Sequence, residues 1–194
     1  YFDNTCNGQP NPKGSIAIGN RAPLALHGST QKAVNFETEE LFRWAGSSSD
    51  ASLDELYDNI NRQEKANNSK EDSQLDFLVR TSLDAQVSSD RIRAAVSKQP
   101  LVRYPSGQLS QQLQLIASMI RADLPTRVYY ASLGGFDTHA NQLNSHANLM
   151  RQLGDTLNAF QQDLGKQGNT GKVLTMVFSE FGRRVAQNGS GGTD

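Results

Sequence analysis

The chain is predicted to be an α/β protein with a mostly parallel sheet flanked by helices, and three segments of its final third carry that expectation. Residues 127–133 are β-branched and aromatic, apolar residues from Leu143 to Leu164 recur at alternating spacings of three and four, and residues 172–178 are nearly all apolar. Strand, helix and strand within about fifty residues make a βαβ unit, whose strands are parallel neighbours joined by a right-handed crossover. Such a sheet is covered on both faces, which explains why residues 172–178 show no polar alternation.

The elements follow in order. Beyond a loop rich in Asn, Gly and Pro (residues 4–13), residues 15–19 and 24–26 alternate apolar side chains around Asn20, Arg21 and Pro23, which predicts two short strands. Asp50 is a suitable N-cap for a helix bearing Leu53, Leu56, Tyr57 and Ile60, and the polar stretch 61–72 interrupts it. Leu75, Leu78, Val79 and Leu83, then Ile92, Ala95 and Val96, give one long helix or two broken near Ser88, with Pro100 as the stop. Pro105 and Ser106 open another helix, with Leu109, Leu113, Ile116 and Ile120 on one stripe, Leu115 and Met119 widening it, and Pro125 ending it. The strand at 127–133 runs into Gly134-Gly135, and Leu143, His146, Met150, Leu153, Leu157, Phe160 and Leu164 then mark the apolar face of a helix that the glycines at 165–171 terminate. This divides the chain, read as a partial single α/β domain over 1–194, into a helical middle region at 37–125 and a βαβ core segment at 126–194. A start at Tyr1 and a stop inside a glycine-rich run are read as the marks of a fragment.

Composition narrows the partners. Nineteen Lys and Arg against 20 acids leave a formal charge of -1, so no electrostatic footprint for nucleic acid is present. No apolar run reaches the ~20 residues that span a bilayer, and the lone Cys6 excludes an internal disulfide and a cysteine-based zinc cluster.

Ligands of open parallel sheets bind beyond the carboxyl ends of the strands. Here Asp137 and His139 follow the first strand of the βαβ unit, and Ser179 and Glu180 follow the second, with Asp194 on the next loop. Two acids and an imidazole offer the O and N donors that divalent metals take, and such a metal would lower the pKa of bound water or hydroxyl towards ~7. Carboxylates without metal could instead serve acid/base work. Each residue also has a plainer reading: Asp137-Thr138 as a helix N-cap, His139 as a surface turn residue, Glu180 as a strand-end acid paired with Arg183 or Arg184, and His146 as a core histidine. Ser179 is not in a nucleophile elbow, because Val177 stands two residues before it.

The combination Gly-Gly-Phe-Asp-Thr-His at 134–139, His146, Phe-Ser-Glu-Phe-Gly-Arg at 178–183 and Asn-Gly-Ser-Gly-Gly-Thr-Asp at 188–194 resembles the bacterial family called domain of unknown function 1501. Residues 16–19 and 22–28 also resemble that family's middle region, so the match spans the chain and is strongest after Tyr129. The family is similar to the alkaline-phosphatase and sulfatase superfamily, which implies an alkaline-phosphatase-like fold, incomplete here, holding one or two divalent metals at the carboxyl edge of the sheet.

By that resemblance Asp137 and His139 bind one metal, and Glu180 sits where a strand end ligates a second, although Phe181 occupies the place of the superfamily's histidine. Asp194 joins the implied metal set, as a ligand or as the neighbour of the His that the family carries next, and Arg183 is the candidate catalytic residue, orienting substrate oxyanions. The implied cofactor is zinc, manganese, calcium or magnesium. The implied function is hydrolysis of a small phosphate or sulfate ester, in the periplasm or outside the cell, with no membrane span in this chain. The resemblance also implies an amino-terminal segment carrying the nucleophile region, outside residues 1–194, so the isolated chain is expected to be inactive. The alternative is a binding or scaffold protein that keeps the fold without catalysis.

Overall fold

The computed structural model describes residues 14–19, 22–27, 33–36 and 92–193, and the helix expected from Asp50 and most of the helical middle region lie outside them. Strand β1 (Ser15–Ile18) is buried at all four positions, as a short apolar strand must be when both faces of its sheet are covered. It pairs in parallel with β2 (Val34–Phe36) on one side and with β3 (Val128–Tyr130) on the other, giving a three-stranded sheet in the order β2-β1-β3. The register sets Ile16 beside both Val34 and Tyr129. Backbone bonds extend the ladder, with Gly19 N donating to Phe36 O at 2.9 Å and Arg127 N to Gly14 O at 2.9 Å.

Helix α1 (Gln108–Arg121) follows a short helical stretch at 92–96 and opens on Gly107, whose φ of 137° favours glycine. Its apolar stripe turns inward as predicted: Leu109, Leu113, Ile116, Ala117 and Met119 are buried, and Ile120 and Leu115 pack against them. Helix α2 (Gln142–Gln167) ends on Gly168 in the left-handed conformation, with the Gly168 and Asn169 amides closing on Gly165 and Leu164 carbonyls. The core is shared by Ile16, Ile18 and Phe36 from the sheet, the α1 stripe, and Ala159, Phe160 and Leu164 from the last third of α2. The assembly is mixed α/β, with a small parallel sheet and helices. Among the described residues no helix is long and apolar enough to cross a membrane.

Three expectations are corrected. Residues 24–26 form a 3-10 turn and not a strand: Pro23 enters at φ -67°, the Leu26 and His27 amides bond back to Pro23 and Leu24, and Leu24 is exposed. Strand β2 was not anticipated, since three residues with one polar member give no periodicity. The third correction concerns residues 172–178. They begin as a 3-10 turn (Thr170–Lys172) and continue without strand pairing, leaving Leu174 at 94% and Met176 at 74% exposure. A run of apolar residues states that a segment can be buried on two faces, but a ladder also requires a neighbour with a free backbone edge, and among the described residues none pairs with it. The described part of 126–194 is therefore strand, helix and unpaired segment; the segment is tied to α2 by Gln161 Nε2 donating to Thr175 Oγ1 at 3.0 Å, and to β3 by Phe178 against the Tyr130 ring.

Polar groups knit α1 to α2. Ser110 and Thr156 hydroxyls share a buried hydrogen bond of 2.8 Å, and Gln167 Nε2 donates to Ala117 O at 3.1 Å. Asp163, 1% exposed, accepts from Gln167 Nε2 at 2.7 Å and from the Tyr104 hydroxyl at 3.3 Å. A buried carboxylate requires such donors. Burial, reinforced by the Asp163 charge and hydrogen bond, pushes the Tyr104 phenol well above its usual 10.0. The folded state then holds this proton more firmly than the unfolded state, so stability is full below pH ~10 and declines as pH rises beyond it, by up to about 1.4 kcal/mol per pH unit for one proton. Urea unfolding of Tyr104→Phe between pH 9 and 11.5 is expected to show a shallower alkaline decline than the parent, with the remainder carried by Tyr129 and Tyr130, whose pKa values are also raised.

Candidate functional site

Strand β3 ends at Tyr130 and the chain passes through Gly134 and Gly135 to a turn bearing Asp137, Thr138 and His139 before α2 begins at Gln142. Gly135 has φ 94°, a conformation that lets the chain reverse there at little steric cost. The turn brings the two leading candidates together: His139 Nε2 lies 3.4 Å from Asp137 Oδ1, and their side chains are 65% and 66% exposed. Both side chains are exposed, beyond the carboxyl end of a parallel strand.

The plainer role considered for Asp137-Thr138, capping the helix, is not what the structure shows. Helix α2 starts on Asn141 in the left-handed conformation, without a side-chain cap. Its first amides are satisfied by the distant glycine-rich loop, with Asn141 N donating to Ser190 O at 3.0 Å and Gln142 N to Gly191 O at 2.9 Å. Asp137 is held instead by Arg183, whose Nη1 donates to Oδ1 at 2.6 Å. The other arm of the guanidinium reaches the Thr138 carbonyl and lies 3.4 Å from Thr138 Oγ1, and the carbon of the fork stands over the Phe181 ring at 5.9 Å. A planar fork suits this two-atom grip, which a lysine could not reproduce. Arg183 is thus a clamp on the turn through its two Nη groups, while its buried Nε has no hydrogen-bond partner among the described residues. The Asp137 carboxylate is too exposed for the ion pair to add much stability, so the grip fixes position.

Glu180 does not join Asp137 and His139. Its Oε1 accepts from the Tyr130 hydroxyl at 3.4 Å, an exposed contact that, after burial, helps raise the Tyr130 pKa. Among the described residues no group of three or more His, Cys, Asp or Glu is placed to hold a metal ion, and Asp194 lies outside them. His146 is exposed and not in the core; it meets Phe136 edge to face at 5.9 Å.

The loop at 187–193 is an organised partner of the Asp137 turn. Ala140 and Gly191 form an antiparallel bridge, Asn188 Nδ2 and Ser190 Oγ both approach the His139 carbonyl (3.2 and 3.0 Å), and Thr193 Oγ1 donates to Gln142 Oε1 at 2.6 Å. The signal was present in Asn188-Gly-Ser, a sequence that favours a side-chain-closed turn, although its target could not be read from local residues.

A family model described as protein of unknown function (DUF1501) matches residues 24–194. No curated protein and no solved structure matches the chain.

Proposed function

We propose that this chain, which belongs to the DUF1501 family, supplies the acid and imidazole ligands of a divalent-metal hydrolase of phosphate or sulfate esters. The observation that carries the reading is the pairing of Asp137 and His139 at the carboxyl end of β3, both exposed and both fixed through one turn. The likeness of the surrounding motifs to the alkaline-phosphatase and sulfatase superfamily supports it, and export to the periplasm belongs to the same proposal. One oxygen and one nitrogen donor fit zinc, manganese or iron, and calcium or magnesium through the carboxylate. Glu180 and Asp194 are the candidates for completing the set. The bound metal would supply Lewis acidity and a lowered pKa at the reacting oxygen. The protein's own part is positional: Arg183 keeps one Asp137 oxygen and the Thr138 carbonyl in place.

A second reading, a scaffold protein that keeps the fold without catalysis, is favoured by two contacts. Arg183 lies on Asp137, and Glu180 is taken up by Tyr130. The deciding experiment uses the full-length protein, stripped with chelator and assayed on aryl phosphates and aryl sulfates with each divalent metal restored. Turnover that disappears on stripping and returns with one metal is expected. Absence of turnover with every metal, together with no retained metal after purification without chelator, selects the scaffold.

A further inference from the structure

Asn188 sits 49 residues from His139 in sequence and touches its backbone in space. Its side-chain oxygen gathers the loop, accepting from Ser190 N at 3.1 Å and Gly192 N at 2.7 Å, with Ser190 Oγ at 3.0 Å. Its backbone closes the same turn, because Asn188 N donates to Gly192 O at 2.8 Å and Gly191 N returns to Asn188 O at 3.1 Å. Its amide nitrogen then donates outward to the His139 carbonyl. One side chain therefore both folds the loop and attaches it to the turn. An amide does both through separate atoms, since the first job needs an acceptor and the second a donor.

The attachment is close. A side chain on Gly192 would run into the His139 carbonyl and the Ala140 nitrogen, so the loop backbone can approach only as glycine. From that position the Ser190 and Gly191 carbonyls receive the Asn141 and Gln142 amides, which otherwise would be unpaired donors at the start of α2. The Asp137-His139 turn is thus gripped at two places: Arg183 holds Asp137 and Thr138, and the Asn188 loop holds His139 and the helix start.

We propose that Asn188 is a positioning residue, setting where the His139 imidazole stands relative to Asp137 by latching the 188–193 loop onto the His139 carbonyl. The effect on metal rests on the functional reading above; the latch does not. It acts through His139 and touches no substrate. Outer contacts that orient a metal ligand typically alter affinity by about 10–100-fold, which sets the size of the expected effect.

Two readouts on the full-length protein test it: cobalt(II) binding followed by its visible absorption, and hydrogen exchange at the Asn141 and Gln142 amides. Asn188→Ala is expected to weaken cobalt binding about 10–100-fold, change the shape of the absorption band, and speed exchange at both amides, with exchange in the α1–α2 core unchanged. Asn188→Asp keeps the acceptor that folds the loop and loses the donor to His139, so it is expected to show the cobalt effect with a smaller change in loop exchange. Gly192→Ala, which perturbs the same contact from the other side, is expected to reproduce the alanine variant. Unchanged amide exchange in both Asn188→Ala and Gly192→Ala overturns the latch. If the parent binds no cobalt, the metal reading fails, and faster exchange at the two amides still upholds the latch. If exchange quickens but cobalt affinity and band stay as in the parent, the loop is structural only and the positioning role is overturned.

Discussion

Leu164→Ala is expected to destabilise the protein by about 2–5 kcal/mol, whereas Leu143→Ala should change stability by no more than about 0.5 kcal/mol. The two leucines lie on the stripe predicted for one helix, and periodicity alone treats them alike. In the fold they differ completely: Leu164 is 0% exposed and Leu143 is 84% exposed. Leu164 belongs to the cluster joining the end of α2 to α1 and β1, which also holds Phe160 and Met119, and removing three carbons leaves a cavity there. Leu143 lies in the first turn of α2, beside the Asp137-His139 turn and outside that cluster. Urea denaturation of both variants measures the difference, and comparable losses would show that the amino-terminal half of α2 is buried in solution.

That contrast shows how far periodicity reaches. The stripes of α1 and of the end of α2 were legible because burial of one helix face is a local rule with a period of 3.6 residues. Strand β1 was legible from its alternating apolar residues, and β3 by its β-branched and aromatic composition. Partner choice was not legible. Residues 172–178 have the composition of a central strand, yet pairing depends on which backbone edge stands nearby, and that information resides in other segments. The same limit governs Leu24–Leu26, where Pro23 and two local backbone bonds outweigh a weak alternation.

The candidate site divides in the same way. Asp137 and His139 are two residues apart after a Gly-Gly turn, so their convergence follows from local geometry and was expected. Glu180 was expected with them because a paired second strand would carry it to the same edge; without that pairing it falls to Tyr130. Arg183 was anticipated as an oxyanion-orienting group, but its fork is engaged by Asp137 and Thr138, which converts the role from substrate contact to turn clamp. Asn188 carries no charge, and although Asn188-Gly-Ser marks a turn, its attachment to His139 is disclosed only by its spatial neighbours.

Asp137 has one observed role, seating Arg183, and one proposed role, metal ligation, and one pair of substitutions divides them. In the full-length protein Asp137→Ala is expected to lower metal affinity and kcat/KM by roughly 1,000-fold, comparable to or somewhat beyond the loss of a single preorganised charge-stabilising group. Alanine removes the ligand and the Arg183 acceptor together, so that result alone does not distinguish ligation from a loosened turn. Asp137→Asn does. Its amide oxygen can still accept the 2.6 Å bond from Arg183 Nη1, preserving the clamp, while the negative charge that strengthens binding of a divalent cation is gone. If Asp137 ligates metal, the asparagine variant should lose affinity nearly as severely as alanine while the Asn141 and Gln142 amides keep the exchange protection they receive from Ser190 and Gly191. If asparagine instead retains full affinity and activity, Asp137 serves only to seat Arg183, and the metal must be held elsewhere or not at all. The charge, more than the position, is therefore the property on which the hydrolase proposal stands.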